Sequence, residues 1–169
     1  QDSLVSNLDL DHPAYRGYKD KVTDTFCFRS DALISNAKDI VLAVKTADCL
    51  PVFMYGAGYM AVVHAGRQGT LLGITDRVCR ALQCLGADHV DVWFGPASCV
   101  MCYEIHKDTH THFNLLAENK AQIEAVFNKH CIRYVQGDTE YLCTQCQPDR
   151  FFSYRLGDTH KRNVFYFSK

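Results

Sequence analysis

An excess of charge of either sign is what this sequence most clearly lacks. Its 18 Lys and Arg stand against 19 Asp and Glu, a net charge of −1. Nucleic acid and anionic membrane surfaces are normally met with a basic excess, so neither is expected as a partner. No apolar run approaches the ~20 residues that a membrane span requires. The N-terminal stretch carries no charged-then-apolar leader. Internal repeats, linkers and low-complexity tracts are also absent, so the 169 residues read as one domain over 1–169. A chain of this length buries roughly 70% of the surface it exposes when unfolded, enough for a core.

Cysteine, by contrast, is plentiful. Nine cysteines are too many to ignore, yet the chain is longer and richer in apolar periodicity than a disulfide-stapled secreted scaffold. The expectation is reduced thiols in a cytoplasmic protein, some of them available to metal.

Most of the chain alternates like strands. Residues 1–30 are polar and irregular. Asp31–Ser35 and Ile40–Val44 read as strands about a turn at Asn36–Asp39, and Val52–Tyr55 with Tyr59–Val63 reads as a hairpin across Gly56-Ala57-Gly58. From Thr70 to Leu85 the period changes: Leu71, Ile74, Val78, Leu82 and Leu85 recur at helical steps, with Gly86 placed for a left-handed C-cap. Cys79 and Cys84 on this helix read as packing residues. Val90–Phe94 is another strand. Asn114 can cap a second helix buried through Leu115, Leu116, Ile123, Val126 and Phe127. Ile132–Val135 and Val164–Phe167 return as strands, the last closing the sheet. The fold class expected is α/β (α+β), with mixed β-sheets and two main helices packed outside.

Three groups of side chains could carry chemistry. Cys49 and His64 each follow an apolar, β-rich segment, and small residues and then Arg67 come after His64. With His12, the one histidine upstream of Cys49, they would offer nitrogen, sulfur and nitrogen with an open fourth position, as catalytic zinc requires. The same thiol–imidazole pair could serve without metal, the histidine acting as base for a nucleophilic cysteine. Cys99-x-x-Cys102 and Cys143-x-x-Cys146 could close a Cys₄ site. Their separation is wider than in a compact ribbon, and their surroundings are apolar, so they read instead as packed free thiols. His106, His110 and His112 lack the intervening Glu of a zinc protease and read as a solvent-facing loop.

The motifs Lys45-Thr46-Ala47-Asp48-Cys49-Leu50-Pro51-Val52, Val63-His64-Ala65-Gly66, Gly95-Pro96 with Cys102-Tyr103-Glu104-Ile105, and Cys143–Cys146 leading to Phe151-Phe152-Ser153-Tyr154-Arg155 occur in order. Together they resemble the polyphenol oxidase or laccase-domain family, later described as purine nucleoside phosphorylases with adenosine deaminase activity. A wider resemblance extends to cysteine deamidases of the cytotoxic necrotising factor type, whose fold is similar. The resemblance implies metal ligands at His12, Cys49 and His64, with zinc as the ion and copper as the alternative. It implies nucleoside and phosphate as small-molecule partners and a water activated by the metal for attack on purine C6; Arg67, beside Gly66 and Gly69 at the helix entrance, is the residue expected to hold phosphate. Cys49, His64 and Asp48 are the catalytic residues expected, with Asp48 and Glu104 as candidate proton shuttles. Family members usually place a Trp and then a basic residue after His-Ala-Gly, where this chain has Arg67 and Gln68. They also carry a further N-terminal segment that this chain is expected to lack. Two other readings are a metal-free cysteine deamidase or hydrolase, and an inactive family member acting as a binding domain.

Overall fold

The computed structural model describes residues 18–20, 25–27, 30–106, 108–135 and 142–168. Two short strands, β1 (Tyr18–Asp20) and β2 (Thr25–Cys27), pair antiparallel. The main sheet uses β3 (Ala32–Ser35), β5 (Leu50–Gly56), β6 (Tyr59–Ala65), β7 (Val90–Phe94) and β10 (Ile132–Tyr134). Its spatial order is β10-β7-β5-β6-β3, antiparallel except for the β7–β10 edge. Between β3 and β5 lies β4 (Leu42–Thr46), and near the end of the chain lies β11 (Asn163–Phe167). These two pair with each other as an antiparallel ribbon. The mixed α/β architecture expected from the sequence is therefore present, with one correction: β11 closes the ribbon, not the main sheet.

Parity along β5 and β6 explains the layers. Val52 and Met54, with Ala61 and Val63, face a core completed by the helices. Phe53, with Met60 and Val62, faces the other way, under the ribbon residues Leu42, Val44, Phe165 and Phe167. A central strand covered on both faces has no polar side to show, which is why β5 is an almost unbroken apolar run. The Phe167 ring lies against Phe53 and Trp93, at centroid distances of 5.9 and 5.3 Å.

The helical period after Thr70 is real but divided. α1 (Arg67–Leu71) stops, Gly73 takes a left-handed φ of 75°, and α2 (Ile74–Cys84) begins. A side chain at Gly73 would be strained there, so the break is written into that glycine. It also leaves Leu71 exposed, against its expected place on the buried face, while Ile74, Val78, Cys79 and Leu82 are buried. Cys79 packs as expected, but Cys84 is exposed. Gly86 adopts the expected left-handed cap, with φ 94°.

Two short strands, β8 (Glu104–His106) and β9 (Thr111–His112), precede α3 (Leu115–Val126). Asn114 caps α3, its side chain accepting from the Ala117 N–H at 3.0 Å. The helices are stapled by Asn119, fully buried on α3. It accepts from the Thr75 hydroxyl at 2.6 Å and donates to the Thr70 hydroxyl at 2.9 Å and the Leu115 carbonyl at 2.7 Å. Replacing Asn119 with Ala leaves buried hydroxyls unpaired and should cost about 2–3 kcal/mol. Urea unfolding measures this; a loss below about 0.5 kcal/mol would mean the staple contributes no more than an exposed contact.

Candidate functional site

The site forms where β6 ends and β5 begins. The register places Leu50 opposite Ala65 and Pro51 opposite His64, so Cys49, one residue before β5, comes level with Gly66. A Cβ on Gly66 would stand 3.1 Å from Cys49 Sγ and 4.0 Å from His64 Nε2. Thiol and imidazole thus converge on one small space that a side chain would fill. His64 does follow Tyr59–Val63 in β6, but the segment before Cys49, Ile40–Val44, belongs to β4 in the ribbon and not to a strand paired with β6. The chain leaves that ribbon at Thr46, turns through Asp48 at φ 87°, and delivers Cys49 to the sheet.

On its other side His64 meets Asp31, just before β3. The Asp31 carbonyl accepts from the His64 N–H at 2.7 Å, and its carboxylate lies 3.3 Å from Nδ1. With a carboxylate beside Nδ1, Nε2 is the ring nitrogen nearer the Cys49 side, the side from which a metal-binding histidine with a carboxylate partner presents its free nitrogen. In the sequence Asp31 reads only as the start of a strand, with no role of its own. Its signal was only a position one residue outside β3, opposite a histidine that periodicity alone does not single out.

Asp48 is buried, and its carboxylate is fully engaged. Oδ1 accepts from the Thr144 hydroxyl at 2.7 Å, Oδ2 from the Arg155 N–H at 2.9 Å, and its carbonyl from the Ser98 N–H at 2.9 Å. Arg155 then turns its guanidinium over the Tyr103 ring at 4.2 Å and donates to the Glu104 carbonyl at 2.8 Å. Burial, and then the charges of Asp48 and Asp31, push the Cys49 thiol up to about 11, against an opposing pull from Arg155 and Arg162. Tyr103 is raised as well, by burial and then by Cys49, with Arg155 and Arg67 working against the shift. Arg67 is exposed at the start of α1, within electrostatic reach of Tyr103. Tyr103 and Arg155 are additions that the sequence placed in motifs without roles. His12 lies outside the described residues.

The four thiols of Cys99, Cys102, Cys143 and Cys146 come together. Their sulfurs all lie within 4.8 Å of one another. This corrects the expectation of separate packed thiols. The donor set fits a metal ion, and it is the one such His, Cys, Asp and Glu group among the described residues. The wide sequence gap is spanned because residues 97–99 run beside 142–144: the Ala97 N–H donates to the Leu142 carbonyl, and the Thr144 N–H to the Ala97 carbonyl. His106 and His110 are exposed, and His110 pairs with Glu104 at 3.1 Å; the loop expected for all three histidines is corrected, since His106 ends β8 and the half-buried His112 lies in β9, paired as a hairpin. A cavity of about 180 Å³ lies beside the thiol cluster, lined by Leu50, Phe94, Cys99, Leu116 and Cys143 among others.

A mixed sheet, helices on one face, a ribbon on the other and a thiol–imidazole pair at the β5–β6 end define a class of α/β domain that comparison with known proteins identifies further. The family model described as multi-copper polyphenol oxidoreductase laccase matches residues 12–163, and the chain belongs to that family. It is 30% identical over 168 residues to a purine nucleoside phosphorylase of Aquifex aeolicus (strain VF5), covering 95% of this chain and 75% of that protein. It is 30% identical over 148 residues to adenosine deaminase RL5 of an unknown prokaryotic organism, covering 74% of this chain and 56% of that one. The crystal structure of YlmD from Geobacillus stearothermophilus superposes with a TM-score of 0.69 at 23% identity, over 82% of this chain and 60% of that one, and shares the fold. The chain therefore spans between about half and three quarters of these relatives. No helix among the described residues is long and apolar enough to cross a membrane.

A thiol raised from 9.0 to about 11 carries about 100-fold less thiolate at pH 8 than an ordinary cysteine. In metal-stripped protein, iodoacetamide should label Cys49 slowly below pH 9 and ever faster toward pH 11, as followed by peptide mass spectrometry. Rapid labelling at pH 7 would show that its surroundings stabilise the thiolate.

Proposed function

We propose that the chain is a zinc-dependent purine nucleoside enzyme, deaminating adenosine and phosphorolysing adenosine, inosine or methylthioadenosine. The observation that carries this reading is the convergence of Cys49 Sγ and His64 Nε2 on the space over Gly66, in a chain of a family whose relatives bear these names. Cys49 and His64, with His12, would hold the ion. The donor chemistry fits: a thiol among carboxylates and a histidine oriented by Asp31 suit a soft-to-borderline cation. When bound, zinc supplies a Lewis acid that makes water nucleophilic near neutral pH.

The protein's own groups do the rest. The Asp31 carboxylate beside Nδ1 would orient His64 with Nε2 toward the ion, and the lack of a side chain at Gly66 leaves room beside both ligands. Exposed Arg67 offers a fixed positive charge for phosphate. Tyr103 is buried beneath the Arg155 guanidinium, a contact that fixes where this cation stands beside the site. Asp48 was expected to act in catalysis; its occupied oxygens support a positioning role, fixing the turn that presents Cys49 and the backbone of Arg155. Glu104 remains the freer carboxylate for proton transfer. The metal-free reading draws on the same pair, but a thiol raised by burial beside Asp48 and Asp31 is a poor nucleophile without a cation.

Purified protein should carry zinc and convert adenosine to inosine. Cys49→Ser and His64→Ala should each lose that zinc and lower kcat by about 100-fold or more. Activity that survives exhaustive chelation and is abolished by alkylation of Cys49 would establish the metal-free alternative instead. Gly66→Ala should keep the fold, by circular dichroism, and weaken zinc retention about tenfold or more by crowding the sulfur. Unchanged retention would mean that the ion sits elsewhere.

A further inference from the structure

The segments 97–103 and 142–153 are nearly without regular structure, holding one isolated bridge, Ala97 to Cys143. Yet they carry Thr144 and Ser153, both fully buried, and they lead to the backbone N–H of Arg155 that Asp48 accepts. A bound ion is one device that fixes such irregular loops where they have little ladder hydrogen bonding of their own. Four cysteines stand at this junction, two from each segment.

We propose that Cys99, Cys102, Cys143 and Cys146 bind one zinc ion, a structural clasp separate from the Cys49–His64 pair, that locks residues 142–155 against residues 97–104. Three features carry this. The sulfurs lie within 4.8 Å of one another, and Cys102 and Cys146 are in contact at 3.5 Å. Tetrahedral zinc at ~2.3 Å from each sulfur sets the sulfurs about 3.8 Å apart, which lies between the 3.5 Å of the Cys102–Cys146 pair and the 4.8 Å limit of the set, so only a small adjustment is needed. The Cys146 N–H and the Cys99 N–H both point at Cys143 Sγ, at 3.4 and 3.3 Å. The first of these runs from the last to the first cysteine of one Cys-x-x-Cys turn, and together they supply the donors that a metal-bound thiolate needs around its remaining lone pairs. Finally, Gln145 lies inside that turn and donates from its side chain to the Ser98 hydroxyl and to the Cys102 carbonyl, the latter at 3.2 Å. Each knuckle is thereby tied to the other before any ion arrives. A four-sulfur tetrahedral set selects zinc or iron among available metals. Ligation displaces the protons of the thiols to solvent and involves no change of oxidation state.

This inference does not rest on the nucleoside reading, and metal analysis separates the two. Full-length Cys49→Ser/His64→Ala protein, purified without added metal, should retain about one zinc per chain. X-ray absorption at the zinc edge should show four sulfur neighbours. Cys99→Ser/Cys146→Ser protein should lose that one zinc. Should this second variant fail to fold, cobalt(II) added to chelator-treated wild type should give the strong near-ultraviolet thiolate-to-metal absorption of a four-sulfur site. Nitrogen or oxygen neighbours at the zinc, iron in its place, a Cys102–Cys146 disulfide in the purified protein, or no such cobalt band would each overturn the proposal. Equal zinc in wild type and in Cys49→Ser/His64→Ala would refute only the nucleoside-site ligands; equal zinc in wild type and in Cys99→Ser/Cys146→Ser would refute only the clasp.

Discussion

The register between β5 and β6 is the constraint on which the site depends. With Leu50 opposite Ala65 and Pro51 opposite His64, the thiol just before one strand meets the imidazole just inside the end of the other. A slip of one residue would turn His64 toward the helices and send Val63 under the ribbon. That slip is opposed by both cores at once, since Val63 is buried against the helices and Val62 against the ribbon. The same strand β6 pairs with β3 on its other edge, which brings Asp31 to His64. Packing thus fixes, with no reference to chemistry, which side chains share the space over Gly66.

What the sheet cannot supply is brought by loops, and Asp48 gathers them. Its carbonyl and both carboxylate oxygens accept from Ser98, Thr144 and Arg155. A non-glycine residue at φ 87° is strained, and strain of this kind persists where the surroundings over-determine the conformation. Here three donors from two distant segments do so. Through Arg155 the same network reaches the Tyr103 ring and the Glu104 carbonyl, so the turn that presents Cys49 and these residues are one connected unit. The thiol cluster stands at the root of that unit, one residue from Thr144.

Much of this was legible in the sequence, and the divisions fall along physical lines. Short apolar runs bounded by glycine turns revealed β5 and β6, which are buried on both faces, and alternation revealed β7. Asn114 and Gly86 marked helix ends because capping chemistry is local. The ordered motifs around Cys49 and His64 marked the family. By contrast, Gly73 hid a break within a continuous helical period, because Leu71 and Leu72 are apolar yet exposed. The partner of β11 could not be read, since its alternation suits any edge. Asp31, Arg155 and the meeting of Cys99 and Cys102 with Cys143 and Cys146 depend on closures across dozens of residues, which no local pattern encodes.

The grip of Cys49 and His64 on a cation is the central claim, and crystallography of the full chain at wavelengths on either side of the zinc edge tests it most directly. An anomalous peak bonded to both Cys49 Sγ and His64 Nε2, present above the edge and absent below it, is the result predicted. A map with no peak there, and the Cys49 sulfur turned away from His64 into the hydrocarbon of the core, would contradict it.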